Sequence, residues 1–397
     1  MSGLALRKNP ALLSGCLTHI VQDGFGWSLS VLLIVLAQAF GLSYTQVGLL
    51  KGLRAGSQAV LELFSGWIAE RTGDAVLLIF GLCILGLGFL ALPFATDIGF
   101  IGLCFLVIGA GTALHHAPSS SLVVNNSAAE QQSGALGIYN ASGDVGKLVF
   151  TGVFSLGIGL GVAWYEISFF FGVLAVVAAF SVWLMARNVP SEITRKRATG
   201  SADQESEKTK GWGILDWRSY RVLLFVSSID TGVQTVGIIF APFIMVAKGL
   251  PVSIATAGAV ILLAGGVFGK ACCGFLAAKI GPFKAFALVQ VLTAIGLVLV
   301  AISPGWIALF LLFPLGCVLQ GSSSITYGHA SKLIQPEKMA RGYALLYAPG
   351  SFASIISPII FGWYADGNGI DNATFLMSLF VLLSIPPMAM LKASSGE

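Results

Sequence analysis

The chain has 397 residues, 56% of them hydrophobic and only 10% charged, with a formal net charge of +4 and a mean hydropathy of +0.87. A soluble domain of this size carries far more charge, so the composition excludes one and points to a polytopic membrane protein. The basic residues are spread over loops, and nothing among them forms a patch for nucleic acid, so no nucleic-acid partner is expected.

Arg7 and Lys8 precede the first apolar run and imitate a secretion signal. The run is too long for one, contains His19 and Asp23, and lacks an Ala-x-Ala site, so it reads as an uncleaved first span. Runs of roughly 20 or more apolar residues predict twelve transmembrane helices. They fall at about 12–39, 44–69, 75–95, 98–124, 132–158, 164–187, 219–246, 252–278, 283–303, 306–331, 338–364 and 371–391. Between the sixth and seventh lies the one long polar run, rich in Gly, Ser, Thr, Lys and Glu, which reads as a solvated linker. The chain thus divides into an N-terminal six-helix half (1–187), a cytoplasmic linker (188–218) and a C-terminal six-helix half (219–397). Adding 208 carries landmarks of the first half onto the second: Gly41 to Gly249, Gly66 to Gly274, Arg71 to Lys279, Gly73 to Gly281, Gly134 to Gly342 and Tyr139 to Tyr347. A fixed offset at this many positions argues for two copies of one unit.

An even number of spans puts both termini on one side. Lys and Arg crowd the loops on the side of the termini, while the opposite loops hold only Lys248 beside Asp97, Glu166, Asp366 and Asp371. The termini and linker are therefore expected in the cytoplasm. The six cysteines, Cys16, Cys83, Cys104, Cys272, Cys273 and Cys317, lie in apolar runs and read as packing residues. Glycines spaced by four, as in Gly48-Gly52-Gly56, suit close helix packing.

After the second span comes Gly66-Trp-Ile-Ala-Glu70-Arg71-Thr-Gly73-Asp74, and after the eighth Gly274-Phe-Leu-Ala-Ala-Lys279-Ile-Gly281-Pro. Each is a helix end followed by a glycine turn, with charge at the inner face. This duplicated pattern resembles the Gly-x-x-x-Asp-Arg-x-Gly-Arg-Arg loop of the major facilitator superfamily. The resemblance covers almost the whole chain and implies an all-α membrane protein of twelve helices in two repeats. It further implies a gating role for Gly66, Glu70, Arg71, Gly73, Gly274, Lys279 and Gly281, and a monomer in the cell inner membrane. A narrower likeness rests on Asp23-Gly24, on Gly109-Ala-Gly111-Thr-Ala-Leu-His115-His116-Ala-Pro118 and on the run Gly134 to Gly146. These resemble the signatures of the fosmidomycin-resistance-like exporters. Gly143 and Gly146 are also the glycines that remain from the helix-five element of drug antiporters.

Ionisable groups at membrane depth are costly and so are functional candidates. They are His19, Asp23, Lys51, Arg54, Glu62, His115, His116, Asp144, Lys147, Asp230 and Lys270. The resemblance implies that spans one, four, seven and ten line a central cavity. His19 and Asp23, four apart, share a face, and Asp23 lies at the depth of Arg54, so the two either pair structurally or bind solute and protons. Lys51 is placed to snorkel outward. His115 and His116 point about 100° apart on a continuous helix, so only one faces the cavity. Adjacent histidines chelate poorly, and no metal or cofactor is expected. Asp144 can pair locally with Lys147 or, across the halves, with Lys270. His329 reads as a solvated residue near the inner end of span ten.

The sequence has no P-loop, Gly-x-Ser-x-Gly or zincin motif, so neither an enzyme nor an ATP-driven pump is expected. The expectation is a secondary transporter working by alternating access. It would be a proton-coupled antiporter that exports a small polar or anionic organic compound. Arg54, Lys147 and Lys270 suit a carboxylate or phosphonate, and His115, Asp23 and Asp230 are the candidate proton carriers. An importer or anion exchanger of the same fold is the alternative, and a membrane sensor or scaffold the alternative of another class.

Overall fold

The computed structural model describes residues 9–128, 131–187, 189, 211–335 and 338–388. Among them the chain is helical. The first part contains α1 (Pro10–Phe40), α2 (Tyr44–Thr72), α3 (Asp74–Ala91), α4 (Ile98–Thr112), α5 (His116–Asn125), α6 (Gln132–Gly159) and α7 (Trp164–Ala186). The second contains α8 (Trp217–Ala247), α9 (Val252–Ala255), α10 (Ala257–Ile280), α11 (Pro282–Ile302), α12 (Gly305–Ala330), α13 (Met339–Asn368) and α14 (Ile370–Leu382). Because α4 with α5, and α9 with α10, each make one span, these helices give the twelve expected spans. Ten are long and apolar enough to cross a membrane on composition alone. The other two are α2, which carries Lys51, Arg54 and Glu62, and α6, which carries Asp144 and Lys147. Of these charges, Asp144 and Lys147 join the cluster around Asp23.

The repeat is visible in the backbone. Three pairs of glycines at the 208 offset share a positive φ: Gly41 and Gly249 (64° and 82°), Gly73 and Gly281 (93° and 85°), Gly161 and Gly369 (83° and 85°). An L side chain there would be strained, so each turn uses glycine in both copies. Gly66 and Gly274 lie inside α2 and α10 rather than at the turns, and in both cases an added Cβ would meet nothing within 4 Å.

The chain forms two compact units. One comprises residues 1–32 and 53–209, the other 33–52 and 210–397. The division differs from one made at the linker, because the C-terminal end of α1 and the start of α2 pack with the second unit. Glycine causes this. A Cβ on Gly48 would strike the Pro358 carbonyl of α13, and one on Gly362 the Tyr44 carbonyl. Asp366 then accepts from the backbone N–H groups of Tyr44 (2.8 Å) and Thr45 (2.9 Å). Lys51 is consequently buried, at 8% exposure, and does not snorkel.

Within the first unit Phe25 of α1 stacks on Phe171 of α7 with centroids 4.5 Å apart, and Phe89 and Phe150 close around them edge-on. In the second unit α10 and α12 meet along glycines: Gly265 and Gly269 face the carbonyls of Phe313 and Cys317, and Gly316 faces that of Leu262. Small residues permit such contacts where no hydrophobic effect drives helices together. Large apolar side chains such as Phe64, Phe80, Phe170 and Phe310 face outward, as a lipid-facing surface requires.

Candidate functional site

The first unit gathers its ionisable groups between α1, α5 and α6, and glycine again sets the approach. A Cβ on Gly146 would strike the backbone of Ile20, one on Gly143 the ring of His19, and one on Gly24 the ring of Phe150. Gly143 and Gly146 therefore keep α6 against α1. That contact brings Lys147 to Asp23, a pairing that sequence reasoning missed because the two residues lie on helices far apart in the chain.

Span four is broken between Thr112 and His116. Pro118 has no N–H for the Leu114 carbonyl, and its ring crowds the carbonyl four residues back, which favours a kink or a break here; α8, α12 and α13 run on through Pro242, Pro314, Pro349 and Pro358, whereas span four breaks. The Leu114 N–H bonds instead to Gly111 (3.3 Å), and the Ser119 N–H restarts the ladder on the His115 carbonyl (2.8 Å). This break corrects the expectation that the two histidines diverge by 100°. Their ring centroids are 3.7 Å apart, and both reach the same oxygen of Asp23.

Asp23 is 7% exposed and is the hub. Its Oδ2 lies 3.2 Å from His19 Nε2 and 3.1 Å from Lys147 Nζ. Its Oδ1 lies 3.4 Å from His115 Nε2 and 3.8 Å from His116 Nε2. Lys147 also reaches Asp144, at 3.1 Å, and stands 5.7 Å from the centre of the Trp27 ring, within cation–π range. The other ring nitrogens are held by backbone. His19 Nδ1 donates to the Tyr139 carbonyl at 2.9 Å, while the Tyr139 ring stacks on the imidazole at 4.3 Å. His115 Nδ1 donates to the Thr112 carbonyl at 2.5 Å. A carbonyl only accepts, so both Nδ1 atoms carry hydrogen, and in the neutral imidazole Nε2 is then a bare lone pair. His115 Nε2 is buried and makes no hydrogen bond. One ligating atom from each of His19, Asp23, His115 and His116 lies within 4.8 Å of the others, which makes this a donor set able to hold a metal ion.

Arg54 does not pair with Asp23 as one sequence reading allowed. Its guanidinium lies over Gly26, whose hydrogen leaves the room, and it senses Asp23 and Glu62 only electrostatically. Of the gating candidates, Arg71 stacks on Trp67 at 3.6 Å, and Lys279 is exposed in the last turn of α10. The side chain of Glu70 lies outside the described residues. Asp74, at the start of α3, is 5% exposed and accepts from the Ser121 hydroxyl at 2.8 Å. In the second unit Lys270 is half-buried on α10, and His329 meets the ring of Phe283 at 5.1 Å.

The second unit has its own buried carboxylate. Asp230 is 3% exposed and sits near the middle of the 31-residue α8. It accepts from Gln234 Nε2 (2.7 Å), Gln290 Nε2 (3.0 Å) and Ser322 Oγ (2.8 and 2.9 Å to its two oxygens). All these donors are neutral, and among the described residues no cation lies within ion-pair distance of it. Gln234, Gln290 and Ser322 were not legible as partners from sequence, since uncharged polar residues are common in membrane helices.

Comparison with known proteins accords with this architecture. The family model described as Major Facilitator Superfamily matches residues 15–327. Among curated proteins, the chain is 25% identical over 205 residues to a protein described as "Uncharacterized MFS-type transporter YfnC" from Bacillus subtilis (strain 168), covering 51% of this chain and 47% of that one. It is 21% identical over 176 residues to the glycerol-3-phosphate transporter of the same organism, covering 43% and 38%. The matched region thus spans half or less of these relatives' length. Among solved structures, a bacterial homolog of the human lysosomal transporter Spinster superposes with a TM-score of 0.79 at 16% identity, covering 96% of both chains. The nucleoside transporter NupG superposes with a TM-score of 0.73 at 12% identity, covering 96% and 99%. With a matched model over most of its length and a twelve-span, two-repeat fold, the chain belongs to the Major Facilitator Superfamily, a family of transporters.

Proposed function

We propose that this transporter is a proton-driven antiporter that exports a small polar organic solute by alternating access. Asp230 is its proton carrier, and the Asp23 cluster is its solute site. The observation that carries the reading is the setting of Asp230: a carboxylate at mid-helix, buried, with only neutral hydrogen-bond donors. A lone charge at the centre of a bilayer costs about 2.5–3.5 kcal/mol on insertion scales, and taking up a proton removes it. Asp230 is faced by Gln234 on its own helix, Gln290 on α11, and Ser322 and Tyr327 on α12, so among the described residues no neighbouring cation holds it ionised.

The outward direction is supported by the likeness of the Asp23-Gly24 and His115 to Pro118 segments to the fosmidomycin-resistance-like exporters. A second reading, uptake or exchange of an organic anion, draws on the match to a glycerol-3-phosphate transporter.

The test uses the purified protein in vesicles of known orientation, with fosmidomycin and glycerol 3-phosphate as probes. Antiport predicts accumulation in inside-out vesicles that are acid within. Asp230→Asn should abolish that accumulation while leaving probe exchange without a gradient intact. Full gradient-driven accumulation by Asp230→Asn would remove Asp230 from the coupling. Uptake by right-side-out vesicles driven by external acid would favour the importer.

A further inference from the structure

We propose that His19, Asp23, His115 and His116 form a binding site for a first-row transition-metal dication such as Zn2+ or Co2+. This inference rests on the reading of the Asp23 cluster as a ligand site and names the class of ligand. Three observations point to it. The first is the donor set, three imidazole nitrogens and a carboxylate, which suits this class of metal. Four-coordinate bonds of about 2.0–2.1 Å place neighbouring donors about 3.3–3.4 Å apart in a tetrahedron. His19 Nε2 lies 3.2 Å from Asp23 Oδ2, His115 and His116 Nε2 lie 3.4 and 3.8 Å from its Oδ1, and one ligating atom from each of the four residues lies within 4.8 Å of the others, so the side chains have to draw together to close the site.

The second is the tautomer. Metal-bound histidines characteristically donate their other N–H to a carbonyl or carboxylate, which orients the ring and frees one nitrogen for the metal. His19 and His115 do this through Tyr139 and Thr112. Their bare Nε2 atoms then face the acceptor oxygens of Asp23 rather than a donor. A lone pair set against a carboxylate oxygen is unfavourable unless a cation, either a proton on the imidazole or a metal ion, stands between them. His115 Nε2, fully buried and without a hydrogen bond, is the clearest case.

The third is Lys147. Its ammonium stands at the edge of the same site, 3.1 Å from Asp23 and 3.1 Å from Asp144. It acts as a tethered cation that a dication displaces from Asp23 and that Asp144 then retains. Loading the site therefore leaves the Lys147–Asp144 pair intact.

The experiment is a Co2+ titration of the tag-free, full-length protein in detergent, read by the visible absorption that tetrahedral Co2+ acquires, with Zn2+ as competitor. One equivalent should bind, with His19, His115 and His116 as ligands. His115→Gln and His116→Gln should each weaken binding more than tenfold, while His329→Gln, at a histidine far from the cluster in the chain, should leave it unchanged. Lys147→Gln should tighten binding, an effect that partial unfolding cannot imitate. Absence of stoichiometric binding, binding insensitive to His115→Gln, or weaker binding by a folded Lys147→Gln would each overturn the proposal. Flux separates this outcome from the solute-site reading. Loss of probe transport in Asp23→Asn without any Co2+ binding by the parent protein keeps the solute site and removes the metal. Co2+ binding with normal flux in Asp23→Asn keeps the metal and removes the solute site.

Discussion

At Lys147 one ammonium answers two carboxylates, with its side chain 22% exposed and that of Asp23 9%. Removing one member of a buried ion pair leaves the other uncompensated, at a cost of about 3–5 kcal/mol. Lys147→Met should therefore lower the thermal midpoint of the detergent-solubilised protein markedly. Asp23→Asn should cost less, since Lys147 keeps Asp144. The double variant should recover part of the loss, because the uncompensated charge at buried Asp23 is gone while Asp144 still lacks Lys147. Strictly additive losses in that cycle would show that the 3.1 Å contact contributes little. The same residue shows what a sequence can and cannot disclose. Asp144 and Lys147, three apart on one helix, were legible as a local pair, whereas the Asp23 contact depends on Gly143 and Gly146 drawing α6 onto α1.

The break in span four is an element-scale device that rests on one residue. Pro118→Ala supplies the missing N–H and removes the ring, so the helix can run on through Leu114. His115 should then leave Asp23. Transport and metal binding should fall steeply while the thermal midpoint holds or rises; unchanged function would mean that the break does not position the histidines. The α1–α6 contact should respond in the opposite way. Gly146→Val forces a side chain into the Ile20 backbone and should cost about 1–3 kcal/mol of stability, along with function. A fully stable Gly146→Val would contradict the close approach. The loop before α4 offers a pH effect outside the membrane. Asp97 caps that helix, accepting from the N–H groups of Phe100 (3.1 Å) and Gly99 (2.8 Å), and these bonds hold its carboxyl below the usual range. Its folded value is depressed, so the cap stabilises above the ordinary carboxylate pKa of about 3.9 and is lost as pH falls below it. Asp97→Ala should lower stability at neutral pH and lower it progressively less as the pH falls through the depressed pKa of this carboxyl, as followed by thermal unfolding.

For the whole molecule, the arrangement of Lys and Arg predicts that the termini and the 188–218 linker are cytoplasmic. Most of that linker, both chain ends and the linker cations Arg195, Lys196, Arg197, Lys208 and Lys210 lie outside the described residues. Ser201→Cys should resist a membrane-impermeant thiol reagent added to intact cells and react in inside-out vesicles; labelling in intact cells would invert the topology.

The sequence by itself determined the architecture. Hydrophobic run length sets helix number, glycine at a fixed offset marks the repeated turns, and both signals are local, so twelve spans and a duplicated unit were readable without coordinates. It also identified which residues carry charge at membrane depth, because a charge in an apolar run stands out from its neighbours. What it left open was who meets whom. The adjacent histidines were expected to point apart until Pro118 broke the helix beneath them and α1 brought His19 and Asp23 alongside. Arg54 looked like the partner of Asp23 until α6 supplied Lys147. Asp230 looked like one charge among several until its neighbours proved to be Gln234, Gln290 and Ser322. Only the tertiary structure decides such matters, because the free energy of a buried charge depends on the atoms within a few ångströms of it, and those atoms come from helices distant in the chain.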